Sequence, residues 1–359
     1  MKAYIVEREA VAHNIAQLQK WAGETPLWAV LKGDGYGLGA GPMSALCWEN
    51  GIRRFAVTEP AEARAIRESV GESAEILMLR ATTDRVELQT LLDMHVIITL
   101  GSREDVQVLG ELNRSCRVHL KVDTGMGRYG FLPTEGDAVR SALASAPNVT
   151  VAGVYTHFHS AFLEESVTRR QFDSFVRFCD QLEAAGLPLG ERHCCNTSAF
   201  LRFKDMHLGG ARIGSGLLGR VAVKDTLGLR RVGWAEAEIE ELRILPKGHT
   251  VGYGAATTLK RETRCAVVPV GYYHGFTLQR GTDVWRAKDC IRGILHNLKL
   301  LLRPEHLTVL VGDCRARTLG HVGMLHTCVD VTYLTCQGGV LVRIEINPLE
   351  LKGLPVEYR

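Results

Sequence analysis

A single lysine, Lys32, stands between a short apolar run and a glycine-rich turn. The run Trp28–Leu31 predicts a buried strand, and four glycines and one aspartate follow the lysine within seven residues. An amine at the carboxyl end of a buried strand is partly desolvated, which lowers its pKa and frees it to act as a nucleophile or a base. A lysine that simply reaches solvent is the alternative. Tyr36 and the flanking glycines favour the chemical interpretation, because they leave a phenol and exposed backbone beside the amine.

Further residues that could bind an anion or transfer a proton follow later apolar runs. They are Lys121, Arg128, His157, Asn196, Thr197, Arg212, Gly214 and Ser215. Small residues such as Gly214 and Ser215 let backbone N–H groups approach an anion. Each of these residues alone could equally be a surface cation, a core histidine or part of an ordinary turn. Those separate explanations account poorly for the fact that all of these residues lie at or after the ends of predicted strands.

The elements that must hold these residues alternate between strand and helix through the first two thirds of the chain. Eight strands are predicted, at Trp28–Lys32, Arg54–Thr58, Ile76–Leu79, Val96–Leu100, Val118–Val122, Val151–Phe158, Arg192–Cys195 and Gly210–Ile213. Helical spacing precedes and separates them, at Ala10–Ala22, Ala61–Ser69, Asp84–Leu92, Arg103–Leu112, Glu135–Ala144, Ser166–Ala185 and Ser198–Lys204. Eight strand–helix units within about 220 residues indicate an α/β fold, a closed (β/α)8 barrel of the TIM type, with its chemistry at the carboxyl ends of the strands. An open doubly wound sheet is the alternative, but no GxGxxG opens a helix after the first strand.

The pattern changes near residue 229, where alternating and β-branched segments begin. They are Glu236–Leu245, Ala266–Gly271, Leu307–Val311, Val329–Thr332 and Val340–Ile346. One stretch, residues 285–302, instead has apolar residues at helical spacing and predicts an inserted helix. We therefore predict two domains, a barrel over residues 1–228 and a mainly β C-terminal domain over residues 229–359.

The composition is that of an ordinary globular protein. The 359 residues are 46% hydrophobic and 23% charged, with a formal net charge of +3. No basic cluster is interleaved with aromatic residues, so we expect no nucleic-acid partner. No apolar run reaches membrane length and the N-terminus shows no export signal, so we expect no membrane partner. The ten cysteines are then most simply reduced thiols of a cytoplasmic protein, and no CxxC pair suggests a metal site.

Motifs along nearly the whole chain resemble those of the alanine racemases, which are fold-type III pyridoxal phosphate enzymes. In chain order they are Lys32–Gly37, Lys121–Arg128, Thr156–Phe158, Asn196–Ser198, Arg212–Gly214, Val251–Ala255, Val270–Tyr272, the segment 320–330 around Met324, Ile346–Pro348 and Tyr358. The strings KVDTGMGR and VGYGA are specific at this length. The resemblance implies an isomerase, an amino-acid racemase that interconverts L- and D-alanine for D-alanine biosynthesis. It also implies pyridoxal phosphate as the cofactor and a homodimer with shared active sites.

The resemblance assigns the proton transfers to two residues. Lys32 would carry the cofactor and act as the base on one face of the amino acid, and Tyr253 of the partner subunit would act on the opposite face. A lysine and a phenol can both serve if their pKa values are drawn toward neutrality. Arg212 would face the pyridine nitrogen, and because arginine does not release its proton, that nitrogen would stay unprotonated.

Other matched positions would bind the cofactor or the substrate. The residues that hold the cofactor phosphate would be Tyr36, Thr197, Gly214, Ser215 and Tyr358, and Asn196 would be a further cofactor-binding residue. His157 would pack near the cofactor ring. Substrate contacts would come from Arg128, Tyr272 and the partner subunit's Met324. Lys121 matches a position that is carbamylated in many relatives, where the resulting anion fixes Arg128.

Four positions at the substrate entrance depart from the usual pattern of the family. Relatives carry two arginines and two aspartates there, and this chain has Phe162, Leu278, His321 and Leu325. We therefore expect either that amino acids larger or less polar than alanine are also accepted, or that the inserted helix serves as a lid. His326 and Cys328 have the spacing of zinc ligands in related lyases, but they fall on ordinary positions of a racemase strand, so we expect no metal.

Two other functions stay open on this evidence. Another fold-type III activity, a D-amino-acid lyase or a decarboxylase, would share the barrel. The decarboxylases lack the arginine at the pyridine nitrogen, however, and the VGYGA tyrosine favours racemisation. A pyridoxal phosphate-binding protein with lapsed catalysis would share the cofactor site, and the pair Lys32 and Tyr253 argues against it.

Overall fold

The computed structural model describes residues 1–278, 286–302 and 306–359, which fall into two compact units. One unit is Arg8–Val232, and the other joins Met1–Glu7 to Gly233–Arg359.

The described strands are β1 (Lys2–Val6), β2 (Leu27–Val30), β3 (Arg54–Val57), β4 (Glu75–Met78), β5 (Ile98–Leu100), β6 (Cys116–Lys121), β7 (Val149–Tyr155), β8 (Glu191–Cys195), β9 (Gly210–Ile213), β10 (Gly233–Glu238), β11 (Glu241–Leu245), β12 (Thr250–Val251), β13 (Thr257–Thr258), β14 (Thr263–Val268), β15 (Thr308–Val311), β16 (Cys314–Leu319), β17 (Thr327–Asp330), β18 (Leu341–Ile344) and β19 (Val356–Tyr358). The described helices are α1 (Arg8–Ala22), α2 (Lys32–Gly37), α3 (Ala40–Glu49), α4 (Pro60–Val70), α5 (Arg85–Asp93), α6 (Arg103–Glu111), α7 (Gly136–Ala144), α8 (Glu165–Ala184), α9 (Thr197–Arg202) and α10 (Ala287–Leu302). Short 3-10 turns lie at Lys204–Met206, Tyr253–Ala255, Tyr272–His274 and Pro348–Glu350.

Strands β2 to β9 form the parallel sheet of the first unit. Their order is β4-β3-β2-β9-β8-β7-β6-β5, and the paired strands run parallel. The two end strands meet where the Met78 N–H donates to Ile97 O at 2.9 Å and the Ile97 N–H donates to Ile76 O at 2.8 Å. All eight predicted strands are present with helices between them, so the predicted (β/α)8 barrel is confirmed.

The barrel strands are buried along most of their length. Every residue of β2 and of β5 is buried. Such continuous burial is typical of parallel strands whose one face fills the barrel interior and whose other face lies under helices. This rigid scaffold fixes the strand ends and therefore the loops that follow them.

The N-terminal strand corrects the predicted domain boundary. We predict residues 1–228 as one domain, but β1 pairs antiparallel with β10 and parallel with β19. Residues 1–7 therefore belong with Gly233–Arg359, and the barrel unit ends at Val232. A closed barrel has no free edge for a ninth strand, whereas Ala3–Val6 are buried and need pairing on both sides.

The described strands of the second unit form a nine-stranded sheet in the order β11-β14-β17-β16-β15-β18-β10-β1-β19, and β12 pairs separately with β13. The mainly β character of this unit is confirmed. The predicted segment Glu236–Leu245 is in fact two strands, β10 and β11. Four further strands, β12, β13, β16 and β19, are not predicted from the sequence because they are short or, in β16, interrupted by exposed arginines.

The inserted helix is present as α10. Trp285, at the start of the predicted range, lies outside the described residues. No residue of α10 is buried, and large aliphatic side chains such as Ile291 and Leu295 are 58% and 62% exposed.

Candidate active site

A cavity of about 430 Å³ lies at the carboxyl ends of the barrel strands. Its described lining residues are Val30, Lys32, Tyr36, Thr58, Glu59, Leu79, Arg80, Lys121, Arg128, Tyr129, Tyr155, His157, Asn196, Thr197, Ser198, Arg212, Gly214 and Ser215. These include every site residue that we predicted within the barrel. The fold therefore brings together predicted site residues that are up to 183 positions apart, as Lys32 and Ser215 are.

Lys32 opens an unusual turn of backbone. Its four successors, Gly33, Asp34, Gly35 and Tyr36, have φ values of 62°, 50°, 63° and 59°, so α2 is a left-handed turn. Glycine adopts this region freely, whereas other L-residues are disfavoured there by roughly 1–2 kcal/mol each. The glycines thus make the turn accessible, and contacts around it must hold the two strained residues.

The environment of Lys32 favours its neutral amine. Its side chain is exposed to the cavity, yet its pKa is lowered, first by burial, then by Arg128 and Arg212, while the Glu62 carboxylate raises it. His157 lines the same cavity, and burial together with the nearby Arg212 and Lys32 lowers its pKa to about 3. A lysine whose pKa is lowered gives up its proton more readily, and the resulting amine can accept a proton from a bound molecule.

Arg212 is held at the bottom of the cavity by hydrogen bonds that its two terminal nitrogens donate. Nη1 donates to His193 Nδ1 at 2.7 Å and to His193 O at 3.2 Å. Nη2 donates to Thr156 O at 2.6 Å and to Cys194 O at 3.4 Å. The guanidinium carbon also lies 4.9 Å from the ring centre of Tyr155. These contacts occupy the terminal nitrogens and leave the Nε–H as the group available to a ligand.

A buried histidine pair extends this arrangement into the barrel interior. Because Arg212 can only donate, His193 must accept at Nδ1 and carry its proton on Nε2, which lies 2.9 Å from His119 Nδ1. Burial, followed by nearby cations, lowers the pKa of both histidines. His193 also stacks on Tyr155, with ring centres 5.0 Å apart. Arg212 is therefore oriented by neutral, tightly packed rings.

Tyr36, Thr197, Gly214 and Ser215 form a cradle suited to a phosphate group. A Cβ at Gly214 would lie 2.0 Å from the Tyr36 hydroxyl oxygen, so only glycine permits this approach. The Gly214 N–H donates to the Thr197 hydroxyl at 3.2 Å. Burial raises the pKa of Tyr36 to about 12, so its hydroxyl keeps its proton and can donate to an anion. The cradle offers hydroxyl and backbone donors without a carboxylate.

Asn196 lines the cavity, but its side chain is engaged in the scaffold. Its Nδ2 donates to Phe158 O at 3.0 Å, and its Oδ1 accepts from the Ala199 N–H at 3.0 Å as the cap of α9. It therefore links two strand-end loops beside the cradle.

Lys121 is almost completely buried, at 3% exposure, between aromatic rings. Its Nζ lies 4.7 Å from the ring centre of Tyr129 and 5.7 Å from that of Tyr155. Burial, and after it Arg128 and Arg212, lower its pKa to about 8. A buried amine with this pKa is partly neutral at physiological pH and can react as a nucleophile.

The KVDTGMGR motif holds Arg128 through its aspartate. Asp123 accepts the N–H groups of Gly125, Gly127 and Arg128 at 2.9, 3.0 and 3.1 Å. These bonds wrap the loop around one carboxylate and present Arg128 at the cavity wall. The spacing of Asp123, Gly125, Gly127 and Arg128 in the motif thus has a structural cause in this turn.

Four predicted site residues belong to the other unit. Tyr253 lies in a short 3-10 turn and is 74% exposed, and Tyr272 and Met324 are 43% and 49% exposed. Tyr358 ends β19 and is partly buried. Their roles toward the site stay predictions.

Several residues that shape the site are missing from the sequence prediction. They are Glu59, Glu62, Arg80, Asp123, Tyr129, Tyr155 and His193. Tyr155 directly precedes the Thr156–Phe158 motif and Asp123 lies inside KVDTGMGR, so their positions beside motifs were an available signal. Glu62 acts through a contact between distant loops, for which spacing along the chain offers no signal. His193 begins the strand-end segment that continues into the Asn196–Ser198 motif, so its position was a signal as well.

Among the described residues, no group of three or more His, Cys, Asp or Glu is arranged to hold a metal ion. His326 Nε2 lies 3.2 Å from Glu240 Oε2, and both side chains are about half exposed. None of the described helices is long and apolar enough to cross a membrane.

Two family models match the chain, the alanine racemase N-terminal domain over residues 6–222 and the alanine racemase C-terminal domain over residues 232–346. The alanine racemase of Desulforamulus reducens is 31% identical over 363 residues, which cover 98% of this chain and 90% of the relative. The alanine racemase of Desulfosudis oleivorans is 32% identical over 359 residues, which cover 93% and 83%.

Solved structures agree with these matches. The biosynthetic alanine racemase of Pseudomonas aeruginosa has a TM-score of 0.81 and 25% identity, with 100% of this chain and 99% of that chain covered. The alanine racemase of Bartonella henselae, solved with covalently bound pyridoxal phosphate, has the same fold, with a TM-score of 0.81 at 20% identity and coverage of 100% and 99%. With both family models matched over most of its length and relatives above 30% identity along nearly all of it, the chain belongs to the alanine racemase family of isomerases.

Proposed function

We propose that this protein binds pyridoxal phosphate on Lys32 and uses it to interconvert L- and D-alanine. The observation that carries the proposal is one cavity in which a lysine of lowered pKa lies beside a donor-lined phosphate cradle. Arg212, Arg128 and Lys121 add positive charge to that cavity. A phosphate and a substrate carboxylate are the anions that such a site would attract.

The residues present fit this cofactor. Gly214 leaves room for the Tyr36 hydroxyl, and the Thr197 and Ser215 side chains complete a cradle for the phosphate group, with Tyr358 as a further predicted donor. Arg212 would donate from Nε–H to the pyridine nitrogen. Although burial lowers the pKa of Arg212, arginine keeps its proton in proteins, so the ring nitrogen would remain an acceptor.

Pyridoxal phosphate, when bound, withdraws electrons from the amino acid and so acidifies its Cα–H. The residues of this chain then supply the proton transfers. Lys32 Nζ would remove or return the proton on one face of Cα, and the hydroxyl of Tyr253 of the partner subunit would do so on the other. His157, held neutral, would pack beside the ring without adding charge.

Arg128 would bind the substrate carboxylate, together with Tyr272 and the partner subunit's Met324. We further propose that Lys121 is carbamylated. After its ammonium loses one proton, the neutral amine would attack CO2 and form an Nζ–C bond while one C=O π bond becomes a C–O⁻ bond, and the nitrogen would then release a second proton. A buried cation would thereby become an anion beside Arg128. With its pKa near 8, about one tenth of the Lys121 amine is neutral at pH 7, far more than for an ordinary lysine.

The active species would be a homodimer, because Tyr253 and Met324 are exposed on one unit and are expected to serve the partner's site. We place the protein in the cytoplasm because its ten cysteines are all free thiols. The near full-length relatives are named alanine racemases, which favours racemisation over a lyase or decarboxylase activity. Alanine is the expected substrate, and the apolar Phe162, 53% exposed, keeps larger amino acids as candidates.

Borohydride trapping tests the assignment of Lys32. Protein incubated with pyridoxal phosphate and reduced should carry the cofactor mass on the peptide that contains Lys32, and Lys32→Ala protein should carry none. In D2O, wild-type protein should convert L-alanine to D-alanine labelled at Cα, and Lys32→Ala should lower that rate by about 10²–10⁴-fold or more. Lys204→Ala is the matched control, since Lys204 lies over Trp21 away from the cavity. Labelling at another lysine, or turnover unchanged in Lys32→Ala, would refute the proposal.

A further inference from the structure

Glu62 is a buried carboxylate at the start of α4. It is the third residue of that helix and 5% exposed. Its Oε2 accepts the Thr58 N–H at 2.8 Å and the Glu59 N–H at 3.1 Å. The bond from Glu59, the N-cap residue, forms one half of a capping box. The hydrogen bonds of Oε2 thus serve the helix that contains Glu62, because they satisfy backbone N–H groups at its start.

The other oxygen reaches a different loop. Oε1 accepts the N–H of Asp34 at 3.0 Å, inside the left-handed turn that begins at Lys32. Asp34 has φ 50°, a conformation that L-residues other than glycine rarely adopt. Its own Oδ1 accepts the Ala40 N–H at 2.8 Å, which joins the same turn to α3. Glu62 therefore stabilises strained backbone two residues after Lys32.

An electrostatic interaction also links Glu62 to Lys32. Glu62 receives hydrogen bonds from three backbone N–H groups and the Thr58 hydroxyl. The charged groups that act on Lys32 are Arg128 and Arg212, which lower its pKa, and Glu62, which raises it. Lys121, in the same cavity, is itself influenced by Lys32. Glu62 is thus the negative charge that opposes two arginines at this amine.

We propose that Glu62 is a positioning residue for Lys32, whose carboxylate fixes the left-handed turn to α4 and places a negative charge near the amine. The catalytic meaning of this link rests on the proposed role of Lys32. The link itself concerns this chain's own backbone and charge, and it can be tested without cofactor.

Glu62→Gln separates this role from helix capping. Glutamine serves in a capping box, so its oxygen can keep the bonds from Thr58 and Glu59. Its NH2 group would then face the Asp34 N–H and cannot accept from it, and the negative charge is lost. Glu68→Gln is the matched control, because Glu68 is exposed on the same helix and the change removes the same charge.

Two measurements on full-length protein freed of cofactor decide the outcome. Hydrogen exchange read by mass spectrometry should show the peptide over Lys32–Gly39 exchanging about ten-fold faster in Glu62→Gln, the effect of losing one bond to a charged acceptor. Competitive acetylation across a pH series should show a lower apparent pKa for Lys32 in Glu62→Gln. Glu68→Gln should match the wild type in both.

If either quantity in Glu62→Gln equals the wild type, Glu62 only caps α4 and the proposal fails. Should Glu62→Gln not fold by circular dichroism, Glu62→Asp takes its place. That variant keeps the charge and shortens the reach, so faster exchange near Asp34 is expected and unchanged exchange refutes the proposal. If borohydride trapping instead fails to find cofactor on Lys32, the proposed function falls while these exchange and acetylation results still stand.

Discussion

At the scale of the residue, the main feature of the site is an excess of positive charge. Lys32, Lys121, Arg128 and Arg212 line one cavity, together with a single acidic residue, Glu59, among its described lining residues. Arginines keep their charge in such a place, whereas lysines give up protons. Lys32 and Lys121 are therefore the cations of this cavity whose protonation can change, and each has a lowered pKa.

The buried Lys121 should make stability depend on pH. Its pKa is about 8 when folded and near 10.4 when unfolded, so between those values the unfolded chain binds more protons and the free energy of unfolding rises with pH. Below pH 8 the cost of burying the cation is fully present. Lys121→Met should therefore raise the free energy of unfolding at pH 7 by about 3 kcal/mol, and the gain should disappear by about pH 10.5.

Urea unfolding of cofactor-free protein in CO2-free buffer at several pH values measures this gain. Added bicarbonate should stabilise the wild type and leave Lys121→Met unchanged, because carbamylation replaces a buried cation with an anion beside Arg128. A gain that does not vary between pH 7 and pH 10.5 would contradict the account.

Residues with their own chemistry could be predicted from the sequence, and their partners could not. Lys32, Arg128 and Arg212 lie in motifs that can be recognised from the sequence alone. Glu62 reads as an ordinary helix-cap glutamate, and its bond to Asp34 depends on how two loops meet. His193 likewise gains its role only when β8 lies beside β9.

At the scale of the element, the left-handed turn α2 sets where the Lys32 amine lies. The glycine-rich sequence predicts a sharp turn, but its hand follows from contacts that the sequence does not reveal, such as Glu62 to Asp34. The barrel strands could be predicted because long apolar runs are needed where both faces are buried. The short strands β12, β13 and β19 lack such runs, and their pairing partners define them.

Gly35→Ala should expose the constraint on this turn. Gly35 has φ +63°, and a Cβ there would lie 3.1 Å from Ala40 N and 3.4 Å from Ala40 Cα. Gly23→Ala is the matched control, with φ +64° and nothing within 4 Å of the added carbon. The control should lose about 1–2 kcal/mol of unfolding free energy from its φ alone.

Gly35→Ala should lose at least about 1 kcal/mol more, because the added carbon crowds the backbone at the start of α3. Urea titration of both variants against the wild type gives the comparison. Equal losses of unfolding free energy in the two variants would mean that the turn can shift to accommodate the added carbon and that Ala40 does not constrain it.

At the scale of the whole molecule, the proposed shared site makes a prediction about mixed dimers. Lys32→Ala and Tyr253→Phe proteins should each be nearly inactive. Mixed in equal amounts under conditions that exchange subunits, half of the dimers should be heterodimers with one intact site, which restores about a quarter of wild-type activity. Racemase assays before and after exchange measure the recovery.

The control mixture pairs Lys32→Ala with the double variant Lys32→Ala/Tyr253→Phe, in which no site can hold both residues. It should stay inactive. Recovery in this control, or none in the first mixture after exchange is verified by mass spectrometry, would rule out sites shared between subunits.

The pairing of β1 has a consequence for how the chain folds. Lys2 lies opposite Ala237, and Tyr4 lies opposite Val356, so the barrel sequence separates β1 from both of its partners. Contacts of such long sequence separation form late, because closing the loop costs entropy before any bond is made. During synthesis, β1 must wait unpaired while some 220 residues of barrel emerge and β10 follows them. The barrel, whose strands pair mostly with near neighbours in sequence, can therefore reach order first, and the second sheet closes only when β19 arrives.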